Sequence, residues 1–342
     1  MIGYYVHHQG SGHLHRMLSV TQHLAEPVTV LSSLPAPAEC RLPWVRLADD
    51  ATAPSAVDPD AHGTLHWVPR HDAGLRARMA QVMGWIDRAE PVLVVVDVSV
   101  EVAVQARLAG VPVVVVAMPG DRRDRAHRTA YDLADAVLAP WPEGLGVESW
   151  PTAWTEKTTF SGSVSRFDGR ARLARVPAVE GPRRGLLLWG KGGGRSVEER
   201  YDELRSATPG WTWELAGPRH PMTAPHLWNA LCRADVVVSH AGQNSVAELA
   251  AARTHAVVVA DPRPFDEQVH TARALDANGL AVGLTAWPEP EAWPGLLATA
   301  ATRGGDDWAR WGDGHGARRM AARLDELVHC LAPGEPREPV GA

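Results

Sequence analysis

The chain has 342 residues, a length that suggests two domains, each large enough to bury its own core. Its formal net charge of -6 and the lack of a dense Lys/Arg run argue against nucleic acid as a partner. The longest apolar runs, such as residues 92–96, have the length of strands, so the sequence predicts no integral membrane segment.

In the first half, short β-branched runs alternate with longer segments of helical period, which is the pattern of βαβ units and a parallel sheet. Residues 34–70, rich in Pro, Ala and Asp, keep little periodicity and predict a loop with one short strand at 44–47. Trp141, Trp150 and Trp154 are expected to pack in a core or an interface, with stacking on an acceptor as the alternative. The other predicted strands are 2–8, 28–31, 92–97, 113–117 and 136–139, and the predicted helices are 13–25, 72–89, 99–109 and 123–134.

The same alternation returns after a polar segment at 161–170, which predicts a second parallel-sheet domain. We expect an N-terminal domain at 1–165, a C-terminal domain at 166–332 and a disordered Pro/Gly/Glu tail at 333–342. A last helix is predicted at 316–331, and its return to the first domain is left open. The other predicted strands are 185–189, 211–216, 235–239 and 256–260, and the other helices are 196–207, 225–233, 244–252 and 266–277.

The segment GSGHLHR at 10–16 follows the first predicted strand. His15 stands where a GxGxxG dinucleotide fingerprint needs its third glycine, so a Rossmann dinucleotide site is a poor interpretation. The four histidines between residues 7 and 15 lie close in sequence, but adjacent residues of a strand point to opposite faces. The sequence therefore predicts no metal site there.

A second glycine-rich segment, WGKGGG at 189–194, follows the first predicted strand of the second domain. Gly192 and Gly193 are able to bring backbone N–H groups against phosphate oxygens, with Lys191 as a nearby positive charge. The GxxxxGK[ST] pattern of a Walker A loop is absent, which argues against kinase-type chemistry. A flexible connection is the alternative interpretation.

The strongest signal is ADVVVSHAGQNSVAE at 234–248, where a buried strand runs through Gly242 directly into a helix. The N-terminus of that helix offers unpaired N–H groups and a positive dipole end to a phosphate. Ser245 adds a hydroxyl donor, and Glu248, at i+3 on the same face, is able to accept from a sugar or ribose hydroxyl. In the alternative, Ser245 and Glu248 only form an S-x-x-E capping box.

Residues 240–248, HAGQNSVAE, followed by AVVVADPRPFDEQVHTA at 256–272, closely resemble the donor-binding signature of the MurG-like and UDP-glycosyltransferase families. In those families a strand ends in HxG or RAG, a phosphate-binding turn and helix follow with a Glu, and a Pro-containing loop carries D/E-Q four residues before an Ala. Gln268 and Ala272 keep that spacing. The resemblance covers residues 234–283 well and implies the GT-B fold: two Rossmann-like α/β domains with parallel sheets that face each other across a cleft.

The resemblance further implies that Glu248 binds the ribose hydroxyls of the donor and that Glu267 and Gln268 hold hydroxyls of its sugar. His240, just before the phosphate turn, would help to neutralise the leaving group. The alternatives are an ordinary hydrogen-bonded histidine at a strand end and an exposed first helical turn for Glu267 and Gln268. The remaining candidate donor-binding residues are Gly242, Gln243, Asn244 and Ser245 at the diphosphate, together with Gly12, Lys191, Gly192 and Gly193.

The segment at 10–16 also resembles the G-x-G-(G)-H turn of the GT-B families, in which a His at the start of the first helix faces the cleft as a candidate base. His13 is the matching position. Inverting sugar transfer needs a base within hydrogen-bond reach of the acceptor hydroxyl, and an imidazole suits that task. Asp97, at the end of a predicted strand, would hold the imidazole in one tautomer, as in the resembling plant-type enzymes. In the alternative, Asp97 caps the helix that begins near Ser99, and His13 only opens its own helix.

We therefore predict a hexosyltransferase-type enzyme that moves a sugar from a UDP- or dTDP-sugar to an acceptor hydroxyl, with inversion and without a metal or other cofactor. The acceptor is expected to be a small molecule or a lipid-linked one. Three cysteines without CxxC spacing fit a cytoplasmic location, and attachment to the inner face of the membrane is left open. The alternatives are a nucleotide-sugar epimerase or hydrolase of the same fold, and a non-catalytic nucleotide-sugar binding protein.

Overall fold

The computed structural model describes residues 1–8, 12–52, 55–144, 150–173, 181–190 and 196–332, and within these ranges the chain forms a seven-stranded sheet and a five-stranded sheet. Neighbouring strands run parallel in both sheets. The prediction of two parallel-sheet α/β domains is thus confirmed. None of the helices within the described ranges is long and apolar enough to cross a membrane. The predicted tail lies outside these ranges.

The first sheet consists of β1 (Ile2–Val6), β2 (Val28–Ser32), β3 (Trp44–Arg46), β4 (Leu93–Asp97), β5 (Val113–Val116), β6 (Ala136–Ala139) and β7 (Thr158–Phe160). Its strand order is β3-β2-β1-β4-β5-β6-β7. Every residue of β1, β2, β4, β5 and β6 is buried, as expected for strands that are covered on both faces. The helices of this half are α1 (Gly12–Thr21), α2 (Ala73–Ala89), α3 (Val100–Leu108), α4 (Arg125–Leu133) and the short α5 (Thr152–Thr155).

Side-chain caps determine where three of these helices begin. Asp72 accepts a hydrogen bond from Leu75 N in α2, Ser99 accepts from Val102 N in α3, and Asp124 caps α4. Because Ser99 caps α3, Asp97 is not its cap, and the alternative interpretation of Asp97 is excluded.

The second sheet consists of β8 (Arg183–Leu188), β9 (Trp211–Ala216), β10 (Val236–His240), β11 (Ala256–Val259) and β12 (Val282–Leu284), in the order β12-β11-β10-β8-β9. The central strand β10 is the one that leads into the predicted phosphate turn. The helices of this half are α6 (Val197–Ala207), α7 (Ala224–Arg233), α8 (Gln243–Ala252), α9 (Glu267–Ala277), α10 (Trp293–Ala300) and α11 (Gly316–Leu331).

The last helix, α11, packs on the first domain, although the predicted division at residue 165 places it in the second. Its Met320 and Leu324 are fully buried in the same core as Ile2 of β1 and Met17 of α1. Arg319 also donates to Ser161 O at 2.8 Å. The apolar stripe of α11 needs a partner, and one face of the first sheet supplies it together with α1.

Four elements were not predicted, namely β7, β12, α5 and α10. The two strands have three residues each, too few for an alternating pattern to be recognised. The helix α1 also ends at Thr21, four residues before the predicted end at 25. Turn-type hydrogen bonds from His23 N to Val20 O and from Leu24 N to Thr21 O end it there.

Candidate active site

The two predicted catalytic residues lie together at the carboxyl edge of the first sheet. Asp97 is the last residue of β4 and is paired in register with Val6 at the end of β1, while His13 is in the first turn of α1. His13 Nδ1 lies 2.8 Å from Asp97 Oδ1. The residues are 84 positions apart in sequence, and they meet because adjacent parallel strands end at the same edge.

Arg16, which was not predicted, binds the same carboxylate. Its Nε and Nη2 donate to Asp97 Oδ2 and Oδ1 at 2.9 and 2.6 Å, the two-pronged geometry typical of an Arg–carboxylate pair. Burial by itself would raise the pKa of Asp97, but the charges of Arg16 and His13 and their hydrogen bonds hold that pKa well below its usual value. Asp97 is therefore ionised at neutral pH. The spacing of His13 and Arg16, three residues apart on one helix, is the signal that sequence reasoning overlooked.

The neighbours of His13 determine its tautomer. Two groups face Nδ1: Asp97 Oδ1, which only accepts, at 2.8 Å, and Arg16 Nη2, which only donates, at 3.1 Å. The shorter contact with the carboxylate favours the proton of a neutral ring on Nδ1. Among the residues that the structure describes, Nε2 has no hydrogen-bond partner, and the side chain is 13% exposed. His13 thus presents an unprotonated Nε2, the atom that a general base needs.

Across the cleft, α8 begins immediately after β10. Its N-cap is Gly242, which contributes no side-chain cap. A Cβ at Gly242 would lie 2.4 Å from the ring of His240, so only glycine fits this turn. Ser245 is inside the helix and bonds to His240 rather than to the helix start, so the S-x-x-E capping box is excluded.

His240 is hydrogen-bonded at both ring nitrogens, as in the alternative of an ordinary strand-end histidine, and its predicted role in charge neutralisation stays a prediction. Its Nδ1 accepts from Gly242 N at 3.1 Å, so the proton is on Nε2, which lies 2.9 Å from Ser245 Oγ. Burial lowers the pKa of His240 to about 4, and the charge of Arg263 acts in the same direction. The imidazole therefore positions the phosphate turn and carries no positive charge at neutral pH.

Glu248 lies at a narrow crevice lined by residues of both domains and of the connection between them. Its Oε1 accepts from Arg166 Nε at 2.8 Å. Burial raises the pKa of Glu248 to about 6, while Arg166 opposes the shift. The other lining residues are His15, Val164, Ser165 and Asn244.

Gln268 is almost fully buried, and its amide is used within the protein. Its Oε1 accepts from Ala241 N at 3.1 Å and from Asp261 N at 3.0 Å, so it ties together the ends of β10 and β11. The neighbouring Glu267 lies 3.4 Å from Arg122 Nη2 of the first domain. Burial raises the pKa of Glu267, and the charge of Arg122 opposes this. The alternative of an exposed helical turn therefore does not hold.

The loop before α9 is fixed against the first domain. Asp121 N donates to Phe265 O at 3.0 Å, and Arg122 lies over the Phe265 ring at 4.8 Å. Gly120 has φ +103, and a Cβ there would lie 2.3 Å from Phe265 O, so glycine is required for this approach. This contact places Glu267 at the cleft.

The two helix starts, α1 and α8, also contact each other directly. Arg16 Nη1 donates to Gln243 Oε1 at 3.0 Å, and Asn244 Nδ2 lies 3.5 Å from His15 Nδ1. Gly12 lies beside Asn244, where a Cβ would be 3.5 Å from the side-chain amide. The predicted donor-binding residues Gly12, Gln243 and Asn244 are thus brought to one place. Lys191, Gly192 and Gly193 lie outside the described residues.

No metal site was predicted among the first histidines, but the reason given was wrong. The strand β1 ends at Val6, and the rings of His7 and His8 stack at 4.7 Å instead of pointing to opposite faces. In the part of the chain that the structure describes, a different group, His66, Asp124 and His127, brings possible ligand atoms within 4.8 Å of one another.

This histidine group is a hydrogen-bonded network. Arg122 Nη1 lies 3.3 Å from His127 Nε2 and can only donate, so the proton of His127 is on Nδ1, the atom that faces Asp124. That nitrogen is then not free to ligate a metal.

Trp141, Trp150 and Trp154 are 2%, 8% and 1% exposed, which confirms that they pack in the core. Their rings contact one another and Tyr131 with edge-to-face geometry.

Residues 224–287 match the family model described as the glycosyltransferase family 28 C-terminal domain. Over 256 residues the chain is 28% identical to a UDP-N-acetylglucosamine--N-acetylmuramyl-(pentapeptide) pyrophosphoryl-undecaprenol N-acetylglucosamine transferase of Rubrobacter xylanophilus, covering 68% of this chain and 70% of that protein.

Two solved structures share the fold over nearly the whole chain. The glycotransferase of kitacinnamycin has a TM-score of 0.66 at 16% identity and covers 97% of this chain and 99% of its own. Acinetobacter baumannii MurG has a TM-score of 0.61 at 16% identity and covers 96% and 99%. The matched family segment contains the predicted phosphate turn, α8 and the loop before α9. The chain is therefore a glycosyltransferase with the GT-B fold.

Proposed function

We propose that this glycosyltransferase uses a nucleoside diphosphate sugar, a UDP- or dTDP-sugar, and transfers the sugar to an acceptor hydroxyl with inversion. The observation that carries the proposal is the position of the start of α8 directly across the cleft from His13 and Asp97, joined through Arg16 and Gln243. In this proposal, an anion site and a base site lie on opposite walls of one cleft, as a displacement reaction requires.

The donor binds mainly to the second domain in this proposal. The free N–H groups at the start of α8 and its dipole take the diphosphate, and the uncapped Gly242 leaves these groups available. Glu248, at the crevice beside α8, accepts from a ribose hydroxyl. Glu267 faces the sugar, whereas Gln268 acts by holding the ends of β10 and β11 in place.

The chemical step is one displacement. His13 Nε2 takes the proton of the acceptor hydroxyl while that oxygen bonds to the anomeric carbon. The bond from this carbon to the diphosphate oxygen breaks, and its electron pair leaves with the nucleoside diphosphate. Asp97 holds the His13 ring and stabilises the imidazolium that forms. A single displacement inverts the configuration, and the N–H groups of α8 stabilise the leaving group without a metal.

Glu248 gives this proposal a pH signature. Because its pKa is about 6, we expect affinity for a nucleotide sugar to rise as the pH increases from about 5 to about 7, since only the carboxylate accepts both ribose hydroxyls. Glu248→Gln should weaken binding about tenfold at neutral pH and remove the pH dependence. Isothermal titration calorimetry with a nucleotide sugar at several pH values measures both effects.

The pH dependence of folding stability provides a check, because its sign is opposite to that of donor affinity. Folding raises the pKa of Glu248, so the folded state binds the proton more tightly than the unfolded chain. Its contribution to stability therefore falls as the pH rises through about 6, while donor affinity rises. An affinity that falls with stability over this range would contradict the role of Glu248.

The donor class is tested by a thermal-shift panel of UDP-, dTDP- and GDP-sugars, in which a true donor raises the melting temperature. If none does so, the proposal fails. Release of free sugar or of an epimer without any acceptor would favour the hydrolase or epimerase alternative, and donor binding without turnover would favour a binding protein. We keep a cytoplasmic location within this proposal because Cys40, Cys232 and Cys330 are all free.

A further inference from the structure

The guanidinium of Arg16 connects the two sides of the cleft. It is 4% exposed, binds both oxygens of Asp97 and, through Nη1, reaches Gln243 Oε1 in the second domain at 3.0 Å. Arg16 thus contacts both the predicted catalytic pair, His13 and Asp97, and the first residue of α8.

This contact determines how the amide of Gln243 points. A guanidinium has only donors, so the oxygen of the amide must face Arg16 and its NH2 group must face away. The Nε2 atom of Gln243 is buried and has no hydrogen-bond partner among the residues that the structure describes. A buried donor without a partner costs free energy, so we expect the NH2 group of Gln243 to bind an acceptor that the described residues do not supply.

The position of this donor indicates what that acceptor is. Gln243 is the first residue of α8, next to the uncapped Gly242, where the N–H groups and the helix dipole favour an anion. An amide NH2 at the same place adds two further donors. The Nε and Nη2 groups of Arg16 bind Asp97, so Arg16 acts on the start of α8 through Gln243.

We propose that Arg16 is a positioning residue that turns the Gln243 amide so that its NH2 group donates to the diphosphate of the donor. The same guanidinium then holds the carboxylate of Asp97 and, by orienting Gln243, completes the donor site. This inference rests on the proposed function, because it requires that a nucleoside diphosphate binds at α8.

If the contact between Arg16 and Gln243 only joined the two domains, Gln243→Glu would have a different effect from the one that the proposal predicts. Gln243→Glu keeps an oxygen for Arg16 and adds an ion pair, so a bridge between domains would be as strong or stronger. The same change removes the NH2 donors and places a negative charge beside the diphosphate. The affinity for a nucleoside diphosphate therefore separates the two roles.

The experiment measures the binding of UDP, dTDP and GDP by calorimetry, with melting temperatures recorded in parallel. We expect Gln243→Glu to bind the preferred nucleotide at least about tenfold more weakly, with an unchanged or higher melting temperature. Gln22→Glu, an exposed change of the same kind just beyond the end of α1, is the matched control and should bind normally. Wild-type affinity in Gln243→Glu would overturn the inference.

A double-mutant cycle tests the link to Arg16 itself. Arg16→Lys keeps a charge near Asp97 but lacks the fork that reaches Gln243, so Gln243→Ala should lose most of its effect in that background. Equal effects in both backgrounds would show that Arg16 does not position the amide. If Arg16→Lys does not fold, the affinity of Gln243→Glu for the nucleotide still tests the inference. If the wild type binds no nucleoside diphosphate, the proposed function fails, and this inference fails with it.

Discussion

His13→Ala is expected to lower kcat by about 100- to 10,000-fold while the Kd for the nucleotide sugar stays at its wild-type value. The imidazole contacts Asp97 and presents Nε2 to the cleft, so its removal takes away the base and leaves the start of α8 intact. Steady-state kinetics with a competent donor and acceptor, together with calorimetry of donor binding, measure the two quantities separately.

His23→Ala is the matched control for this variant, since His23 is exposed just beyond the end of α1 and should leave both quantities unchanged. An unchanged kcat in His13→Ala would remove His13 from the mechanism. A large increase in the donor Kd with unchanged kcat would instead assign His13 to donor binding.

Asp97→Asn is expected to lower turnover and also to reduce the free energy of unfolding by about 3–5 kcal/mol, because it leaves the charge of Arg16 buried without its counterion. Asp97 itself is fully buried. The pKa of Asp97 is held below its usual value in the folded state, so its stabilising contribution is complete at neutral pH and is lost only as the pH falls below the ordinary range of Asp. Urea denaturation at neutral pH measures the full difference.

The control is Asp306→Asn, which breaks an Arg–carboxylate pair of similar length on the surface. Arg172 Nη1 lies 3.0 Å from Asp306 Oδ1, but the Asp306 side chain is 92% exposed, so water replaces the lost partner. We expect little change in stability for this variant. If Asp97→Asn were as stable as Asp306→Asn, the burial of the Arg16–Asp97 pair would have no energetic consequence, and the positioning role of Asp97 would be in doubt.

The sequence predicted the parts of the site that depend on local pattern and on strand direction. The glycine between β10 and α8 indicated a phosphate turn, because a strand that runs directly into a helix leaves free N–H groups. The pairing of His13 with Asp97 was implied by the resemblance to the GT-B families, and it agrees with the rule that parallel strands end at one edge.

Other features depended on partners that are distant in the sequence. Arg16 was overlooked because its two contacts, Asp97 at the end of β4 and Gln243 at the start of α8, belong to different domains. The charge of His240 does not follow from the sequence, because its pKa depends on burial and on neighbouring groups such as Arg263. Gln268 was expected to face the sugar, yet its oxygen is shared by two strand ends.

For this protein, the periodicity of apolar residues and the turn glycines were sufficient to determine two parallel sheets, because strands and helices form from short-range patterns. The return of α11 to the first domain, the ionisation states of His240 and Glu248, and the contact of α1 with α8 were decided only in three dimensions. Desolvation and hydrogen bonding depend on which atoms become neighbours, and neighbours across a cleft leave no periodic signal in the chain.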